Sequence, residues 1–227
     1  MAESLRPRIA ILTSGNGTTA EAFILAAQKG HVNADVGLVV CSKPRKEAGV
    51  YERIDRLNQA YDLAIETVEI NGRTHPAGKV GRGQTLTESE AIQKRVQDAG
   101  CGHVALMGYM RIVRGNLLDA YGWRQHYTSP YQARMSNTHP GPLPETADTY
   151  GVHASERVLE LGMEYSAHTF HLVGVAVDEG PILAEHPVQV LDDDSPESLF
   201  ARVQAAEKVA LPYAMGQFLR EQAAFLG

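Results

Sequence analysis

The sequence predicts an α/β fold, an open and mainly parallel twisted sheet with helices on both faces. Three observations carry that expectation. Short, wholly apolar runs recur through the first half and read as strands buried on both sides. Segments with helical spacing of apolar residues alternate with them. The first strand passes into the first helix through a glycine-rich turn, a junction typical of such sheets.

Residues 8–13 form the first strand, which runs into Ser14-Gly15-Asn16-Gly17-Thr18-Thr19. A helical pattern over 20–29 follows and is stopped by Gly30. Residues 35–41 give a second buried strand, 46–61 a helix spaced on Val50, Ile54 and Leu57, and 64–68 a third strand. The stretch 72–84, with four glycines and a proline, predicts a long polar loop. Thr87-Glu88-Ser89-Glu90 fits a capping box, opening a helix that ends near Gly100, and a fourth buried strand occupies 103–107.

The second half changes character. A short strand at 135–137 precedes the proline-rich His139-Pro140-Gly141-Pro142-Leu143-Pro144. A helix over 153–161 closes at Gly162, and strands at 167–173 and 182–191 flank a loop holding Asp178. Ser195 starts a long terminal helix with Pro196 at its first position. No repeat, low-complexity tract or linker interrupts the chain, so a single domain over 1–227 is expected.

A formal net charge of −6 argues against wholesale wrapping of nucleic acid, while leaving room for a local phosphate pocket. No apolar run approaches the roughly 18 residues of a membrane helix, and residues 1–8 lack a signal peptide's apolar region. The two cysteines, Cys41 and Cys101, lie far apart and read as buried small hydrophobes in a reducing cytoplasm.

Gly15 to Thr19 sit where backbone N–H groups and the helix dipole favour an anion, with Thr18 and Thr19 adding hydroxyl donors. The spacing Gly15-x-Gly17-x-x-Ala20 also matches a dinucleotide fingerprint. That motif requires an acidic residue about 20 positions on, and 37–41 contains none. A phosphate monoester and an unliganded tight turn remain as the two readings.

Asn137 and His139, two apart at the end of a strand, share one face aimed at the crevice where open α/β sheets bind ligands. Together with Asp178 they make a set suited to acyl-level transfer. An amide or imidazolium can stabilise an oxyanion, and a carboxylate can manage the proton leaving an attacking amine. No nucleophilic elbow is present, which favours direct attack by substrate over a covalent enzyme intermediate. Singly, each residue also fits an ordinary structural role: Asn137 capping a turn, His139 in a loop, Asp178 bonding its own turn. His139, His153, His168, His171 and Asp178 could be gathered by folding, but their spacing matches no metal motif, and no metal is expected.

Residues 9–20, Gly108-Tyr109-Met110-Arg111-Ile112-Val113, Asn137 to Pro144 and Asp178 to Ile182 occur in an order that resembles the formyltransferase family, in particular its glycinamide ribonucleotide formyltransferases of purine synthesis. The resemblance runs through almost the whole chain. It implies the Rossmann-like formyltransferase fold, with an N-terminal phosphate-binding half and a C-terminal folate and catalytic half. It implies transfer of a formyl group from 10-formyltetrahydrofolate to the amine of glycinamide ribonucleotide. By position, Gly15, Asn16, Gly17, Thr18 and Thr19 would hold the phosphate. Met110, Arg111, Ile112 and Val113 would border the folate through their backbone, with Asn137. Asn137 and His139 would face the formyl oxygen, and Asp178 would keep His139 protonated. Gln204 and Glu207, one helical turn apart, match positions that reach phosphate and ribose; without the resemblance they are the exposed face of an amphipathic helix. Relatives often read Asp-Gly-Gly where this chain has Asp178-Glu179-Gly180, and an arginine expected near the folate tail aligns with Thr85, with Arg82 as a possible substitute. Two insertions, at 72–84 and 123–133, are expected near that side. The resemblance further implies small-molecule partners alone, neither nucleic acid nor membrane, and a monomer or homodimer. Alternatives are a sugar-nucleotide formyltransferase, a formyltetrahydrofolate hydrolase, and a non-catalytic module binding a phosphorylated metabolite.

Overall fold

The computed structural model describes residues 6–78 and 83–227. Among the described residues the sheet has seven strands: β1 (Arg8–Thr13), β2 (Asp35–Cys41), β3 (Glu66–Glu69), β4 (His103–Leu106), β5 (Met135–His139), β6 (Tyr165–Leu172) and β7 (Ile182–Gln189). Their spatial order is β3-β2-β1-β4-β5-β6-β7. The pairs from β3 to β5 are parallel, whereas β5–β6 and β6–β7 are antiparallel.

Strand alternation sorts the core into two layers. Ile9, Ile11, Val39 and Cys41 pack beneath α1 (Thr18–Gln28) and α2 (Val50–Tyr61), in a cluster that also takes in Phe218 and Leu219 of α6 (Pro196–Leu226). Ala10, Leu12, Leu38 and Val40 face the other way, against Ile92 and Val96 of α3 (Leu86–Asp98) and Leu117 and Leu118 of α4 (Gly115–Tyr121). Val158 of α5 (Val152–Glu160) joins Leu199 and Val203 of α6 in a third cluster. Both cysteines are buried free thiols. Among the described residues no helix is long and apolar enough to cross a membrane.

Several local expectations shift. Strand β5 runs two residues past 137, because antiparallel pairing with β6 continues to His139 opposite Thr169. The helix expected over 46–61 divides into a 3-10 turn at Arg45–Glu47 and α2 from Val50. Helix α4 was not anticipated; its seven residues are too few to display a 3.6-residue period. The capping box of α3 is Thr85 with Glu88, not Thr87 with Glu90. Thr85 Oγ1 accepts from the Glu88 N–H at 3.0 Å and Glu88 Oε2 accepts from the Thr85 N–H at 2.6 Å. Two overlapping Thr-x-x-Glu patterns compete there, and the earlier one captures a buried glutamate.

This correction is testable by denaturant unfolding. Thr85→Ala should lower the unfolding free energy by about 1–2 kcal/mol. Thr87→Ala, which removes a half-buried residue's hydroxyl bond to the Ala77 carbonyl but no helix cap, should change it by only about 0.5 kcal/mol. Equal effects would return the helix start to the later box.

Candidate active site

The C-terminal ends of β1, β4 and β5 open into a cavity of about 1160 Å³, lined also by the loop after β6 and one face of α6. This is the crevice where an open α/β sheet binds ligands. Thr13, Leu106 and Asn137 to His139 come from the strand ends, Val173 to Asp178 from the loop, and Phe200, Gln204, Glu207 and Lys208 from α6.

At one end of the cavity Asn137, His139, His171 and Asp178 meet. The register places Asn137 directly opposite His171 across the β5–β6 pair. His171 Nδ1 lies 2.9 Å from the Leu172 carbonyl oxygen, which can only accept, so Nδ1 carries the proton. In the neutral ring Nε2 then accepts from the Asn137 amide Nδ2 at 3.0 Å. His139 Nε2 lies 2.9 Å from Thr146 Oγ1, whose proton goes to the Pro142 carbonyl at 2.7 Å. Thr146 therefore accepts from His139 Nε2–H, and the remaining nitrogen, Nδ1, faces Asp178 Oδ2 at 3.6 Å. Asp178 Oδ1 stands 3.7 Å from His171 Nε2. Both separations allow electrostatic interaction but exceed hydrogen-bond length.

Asp178 adopts a left-handed backbone with φ 57°. The turn is held because Gly180 packs onto the Leu172 carbonyl, where any Cβ would collide. Burial pushes the His139 imidazole below the ordinary histidine range, while the Asp178 charge opposes that shift and His171 adds to it. Burial likewise pushes His171 down, again against Asp178. Desolvation outweighs the Asp178 charge, a direction opposite to the expectation that Asp178 keeps His139 protonated, and Thr146 holds the ring by its Nε2–H.

At the other end lies the glycine turn. Gly17 sits at φ 69°, ψ 27° as the N-cap of α1, with no side-chain cap on the helix. A Cβ there would strike Val50, so glycine is required on both counts. The first-turn N–H groups of α1 lie at the cavity wall, which Gly15 to Thr19 all line. Ser14 Oγ, 2.6 Å from Ser42 Oγ, accepts from the Met110 N–H at 2.9 Å and ties the turn to the 108–113 segment.

Glu207 reaches back from α6 to this region. Its Oε1 accepts from the Thr138 hydroxyl at 2.7 Å. Burial pushes its carboxyl above the ordinary range, against hydrogen bonds from Thr138 and Thr19 and the Lys208 charge. Glu207 is thus engaged within the fold, unlike the solvated position its helix pattern alone suggests.

Met110, Arg111, Ile112 and Val113 line the third side, with Met110 exposed. Two of their backbone groups are already engaged: Met110 N–H by Ser14, and the Ile112 carbonyl by Gln84 N–H at 2.9 Å. Arg111 Nη2 donates to the Gly83 carbonyl at 2.7 Å and to buried Glu88 Oε2 at 2.6 Å. The first insertion therefore braces this segment through Gly83 and Gln84, whose side chain also donates to Tyr109 Oη at 2.8 Å. Thr85, aligned with the missing arginine, is taken up in capping α3, and Arg82 lies outside the described residues. The second insertion approaches the cavity at Trp123, beside Gly174, but otherwise leaves it: Gln222 of α6 donates to the Tyr131 and Ala133 carbonyls at 3.1 and 2.6 Å. Its Tyr131 ring packs on the apolar end of α6 against Phe218 and Phe225, while Trp123 and Tyr127 meet each other edge to face.

Sequence reasoning missed His171, weighed only as a metal candidate, and also Thr138, Thr146 and Lys208. Among the described residues no three His, Cys, Asp or Glu side chains are arranged to hold a metal ion, and His153 is exposed beside Glu156 on α5. A strand partner for Asn137 was the available signal for His171, once the antiparallel pairing of 135–139 with 165–172 was considered.

The formyl transferase family matches residues 7–215. A phosphoribosylglycinamide formyltransferase of Bacillus subtilis is 27% identical over 212 residues, covering 93% of this chain and 94% of that protein. The trifunctional purine biosynthetic protein adenosine-3 of Drosophila melanogaster is 28% identical over 96% of this chain, which spans only 14% of that protein's length. A crystal structure of phosphoribosylglycinamide formyltransferase from Bacillus halodurans superposes with a TM-score of 0.76 at 29% identity, over 93% of this chain and 95% of that one. A glycinamide ribonucleotide transformylase from Symbiobacterium toebii gives 0.78 at 30% identity, over 95% and 88%. A formyltetrahydrofolate deformylase from Pseudomonas syringae shares the fold, with a TM-score of 0.72 at 16% identity over 96% of this chain and 63% of that one. With both ends of its cavity built from the segments through which that family match runs, the chain belongs to the formyl transferase family.

Proposed function

We propose that this protein transfers the formyl group of 10-formyltetrahydrofolate to the amine of glycinamide ribonucleotide, by direct attack through a tetrahedral intermediate. The observation that carries the reading is the placement of two unlike sites in one cavity. A cluster of amide, imidazole and carboxylate occupies one end and a helix N-terminus built for an anion the other. The cavity volume, about 1160 Å³, exceeds the roughly 300–1,000 Å³ of a single small-molecule pocket. It suits a donor and an acceptor held together, the arrangement that lets proximity lower the barrier.

In this reading Gly15, Asn16, Gly17, Thr18 and Thr19 take the acceptor phosphate, with Lys208 adding positive charge nearby. Gln204 and Glu207 take the ribose, and Met110 to Val113 with Asn137 border the folate. As the amine nitrogen bonds to the formyl carbon, negative charge gathers on the formyl oxygen. Asn137 stabilises it with the amide N–H that His171 leaves over, and His139 does so once protonated. The amine must lose one proton, and the folate nitrogen must gain one as its bond to carbon breaks. His139 Nδ1 and Asp178 carry that proton: the neutral ring accepts it, and the adjacent carboxylate stabilises the imidazolium that results. The reaction is placed in the cytoplasm, in one domain acting as a monomer or homodimer.

Removing the side chain of Asn137 or His139 should lower turnover roughly 10²–10³-fold with folate binding nearly intact. Asp178→Asn removes the larger of the two effects that raise the His139 pKa, the other being a hydrogen bond at Thr146. The inflection that His139 contributes to the pH–rate profile should therefore move to lower pH, along with a fall in height. Tetrahydrofolate release across pH measures both. Near-normal turnover with an unaltered profile would overturn this mechanism.

Glu207→Ala should weaken acceptor binding by about 1.5–3 kcal/mol while sparing folate affinity, since it removes a charged hydrogen-bond acceptor. Titration with a phosphoribosyl glycinamide analogue, with a nucleotide sugar in parallel, checks it. Tighter binding of the nucleotide sugar would transfer the assignment to a sugar-nucleotide formyltransferase.

A further inference from the structure

Glu207 does not hold its position alone. Strand β5 turns Asn137 and His139 to one face and Thr138 to the other, where Thr138 meets both α6 and β6. Thr138 Oγ1 lies 2.7 Å from Glu207 Oε1 and 2.7 Å from His168 Nε2. A hydroxyl has one proton and two lone pairs. Against an ionised carboxylate the Thr138 proton goes to Glu207, so Thr138 must accept from His168, whose Nε2 carries the hydrogen. His168 Nδ1 is then a lone pair, and it is buried with no hydrogen-bond partner. His168 is fully buried and lies parallel to the His186 ring, at 6.1 Å between centroids and 3° between planes. Burial, with the neighbouring imidazoles of His186, His139 and His171, holds its pKa down at about 3, so the ring is a neutral donor under working conditions.

The direction of these bonds has a functional meaning. A chain from His168 N–H through Thr138 O–H ends on Glu207 Oε1 and occupies that oxygen on the protein side. Thr19 of the glycine turn also bonds the carboxylate, and the acceptor capacity that remains toward the cavity suits hydroxyl groups and not carbonyls or anions. The chain also helps to fix the rotation of the Glu207 side chain, and ordering such a group before binding removes a cost that the ligand would meet. We propose that Thr138 and His168 are positioning residues that orient Glu207 to recognise a hydroxyl-bearing, ribose-like acceptor. The inference rests on the assignment of Glu207 to the acceptor made above. It concerns residues on the opposite face of β5 from the reacting cluster.

The test is a set of kinetic variants: Thr138→Val, Thr138→Ser, His168→Leu, Glu207→Ala and the Thr138→Val/Glu207→Ala pair. KM for glycinamide ribonucleotide and for 10-formyltetrahydrofolate, and kcat, are measured separately. Thr138→Val should raise the acceptor KM roughly five- to tenfold, as loss of one hydrogen bond to a charged group implies, with kcat and folate KM within about twofold. Thr138→Ser should restore the acceptor KM, because it retains the hydroxyl. His168→Leu should raise it by roughly threefold, through loss of the donor that fixes the Thr138 rotor. In the Glu207→Ala background Thr138→Val should add nothing, since both substitutions then break one unit. If Glu207→Ala raises the acceptor KM but Thr138→Val and His168→Leu do not, the positioning role is wrong while the acceptor assignment stands. An unchanged acceptor KM in Glu207→Ala instead removes the assignment itself, and the positioning role with it. Failure of serine to rescue, or an equal rise in folate KM, also overturns the proposal by showing a general packing defect. Should Thr138→Val be too unstable to assay, His168→Leu against Glu207→Ala decides by the same comparison.

Discussion

The antiparallel seam between β5 and β6 is the constraint on which the site depends. Among the described residues five strands of the sheet run parallel, and the direction first reverses where β6 joins β5, turning again at β7. Parallel strands cannot place neighbouring residues from one tight turn opposite each other, since each return needs a crossover. An antiparallel partner can, and here it sets His171 against Asn137 and Thr169 against His139. The same pairing brings the loop after β6 back over the end of β5, carrying Asp178. Thr169 Oγ1 donates to the Gly141 carbonyl at 2.7 Å, fixing the proline-rich exit of β5 from the other strand. A slip of one residue would exchange the two faces and separate every one of these groups.

Burial and charge oppose each other within the reacting cluster, and neither is complete. Two buried imidazoles flank one carboxylate, which cannot pair with both at full strength. Thr146 and the Leu172 carbonyl settle the ring tautomers by taking one N–H each. That leaves His139 Nδ1 as the unfilled position, directed at a carboxylate slightly too distant to bond. An arrangement of this kind gains little from the resting contact and gains more once a proton arrives, which is the difference that chemistry can use. Gly180 is part of it: the close packing that demands glycine also presses the turn of Asp178 onto the end of β6.

How much of this the sequence reveals follows from the range of each interaction. The buried strands were legible because apolar runs of four to seven residues are a local property, as were the α6 start at Ser195 and Pro196 and the glycine turn before α1. The shared face of Asn137 and His139 also follows from strand period alone. His171 was not legible as their neighbour, since register between strands separated by a helix is set by packing and leaves no local mark. Glu207 misleads for a related reason: its helix period marks a polar face, and only the docking of α6 over Thr138 makes that face interior. The resemblance supplied its role, not the physics of its surroundings. The capping of α3 shows the limit of local reading as well, with two equivalent patterns two residues apart distinguished only by the burial of Glu88. The bracing of Ile112 by Gln84 comes from an insertion whose polar composition indicates a loop and nothing about where it docks.

Helix α6 spans Pro196 to Leu226 and contains Pro212. Proline has no N–H, so the carbonyl four residues earlier, that of Lys208, loses its helical partner. The missing rung falls immediately beyond the stretch that lines the cavity, between Glu207 and the half of the helix that Gln222 moors to the 123–133 segment. The helix continues through this position as two segments with one backbone bond fewer between them. The outer segment is held by aromatic contacts and carbonyl bonds, while the inner one, packed through Leu199 and Val203, carries Gln204 and Glu207 at the cavity. The backbone bond absent at Pro212 therefore separates the segment that lines the cavity from the segment that the 123–133 stretch holds. The two ends of one helix thus serve different neighbours: the cavity wall on one side of the missing bond, and the core contact with Tyr131 on the other.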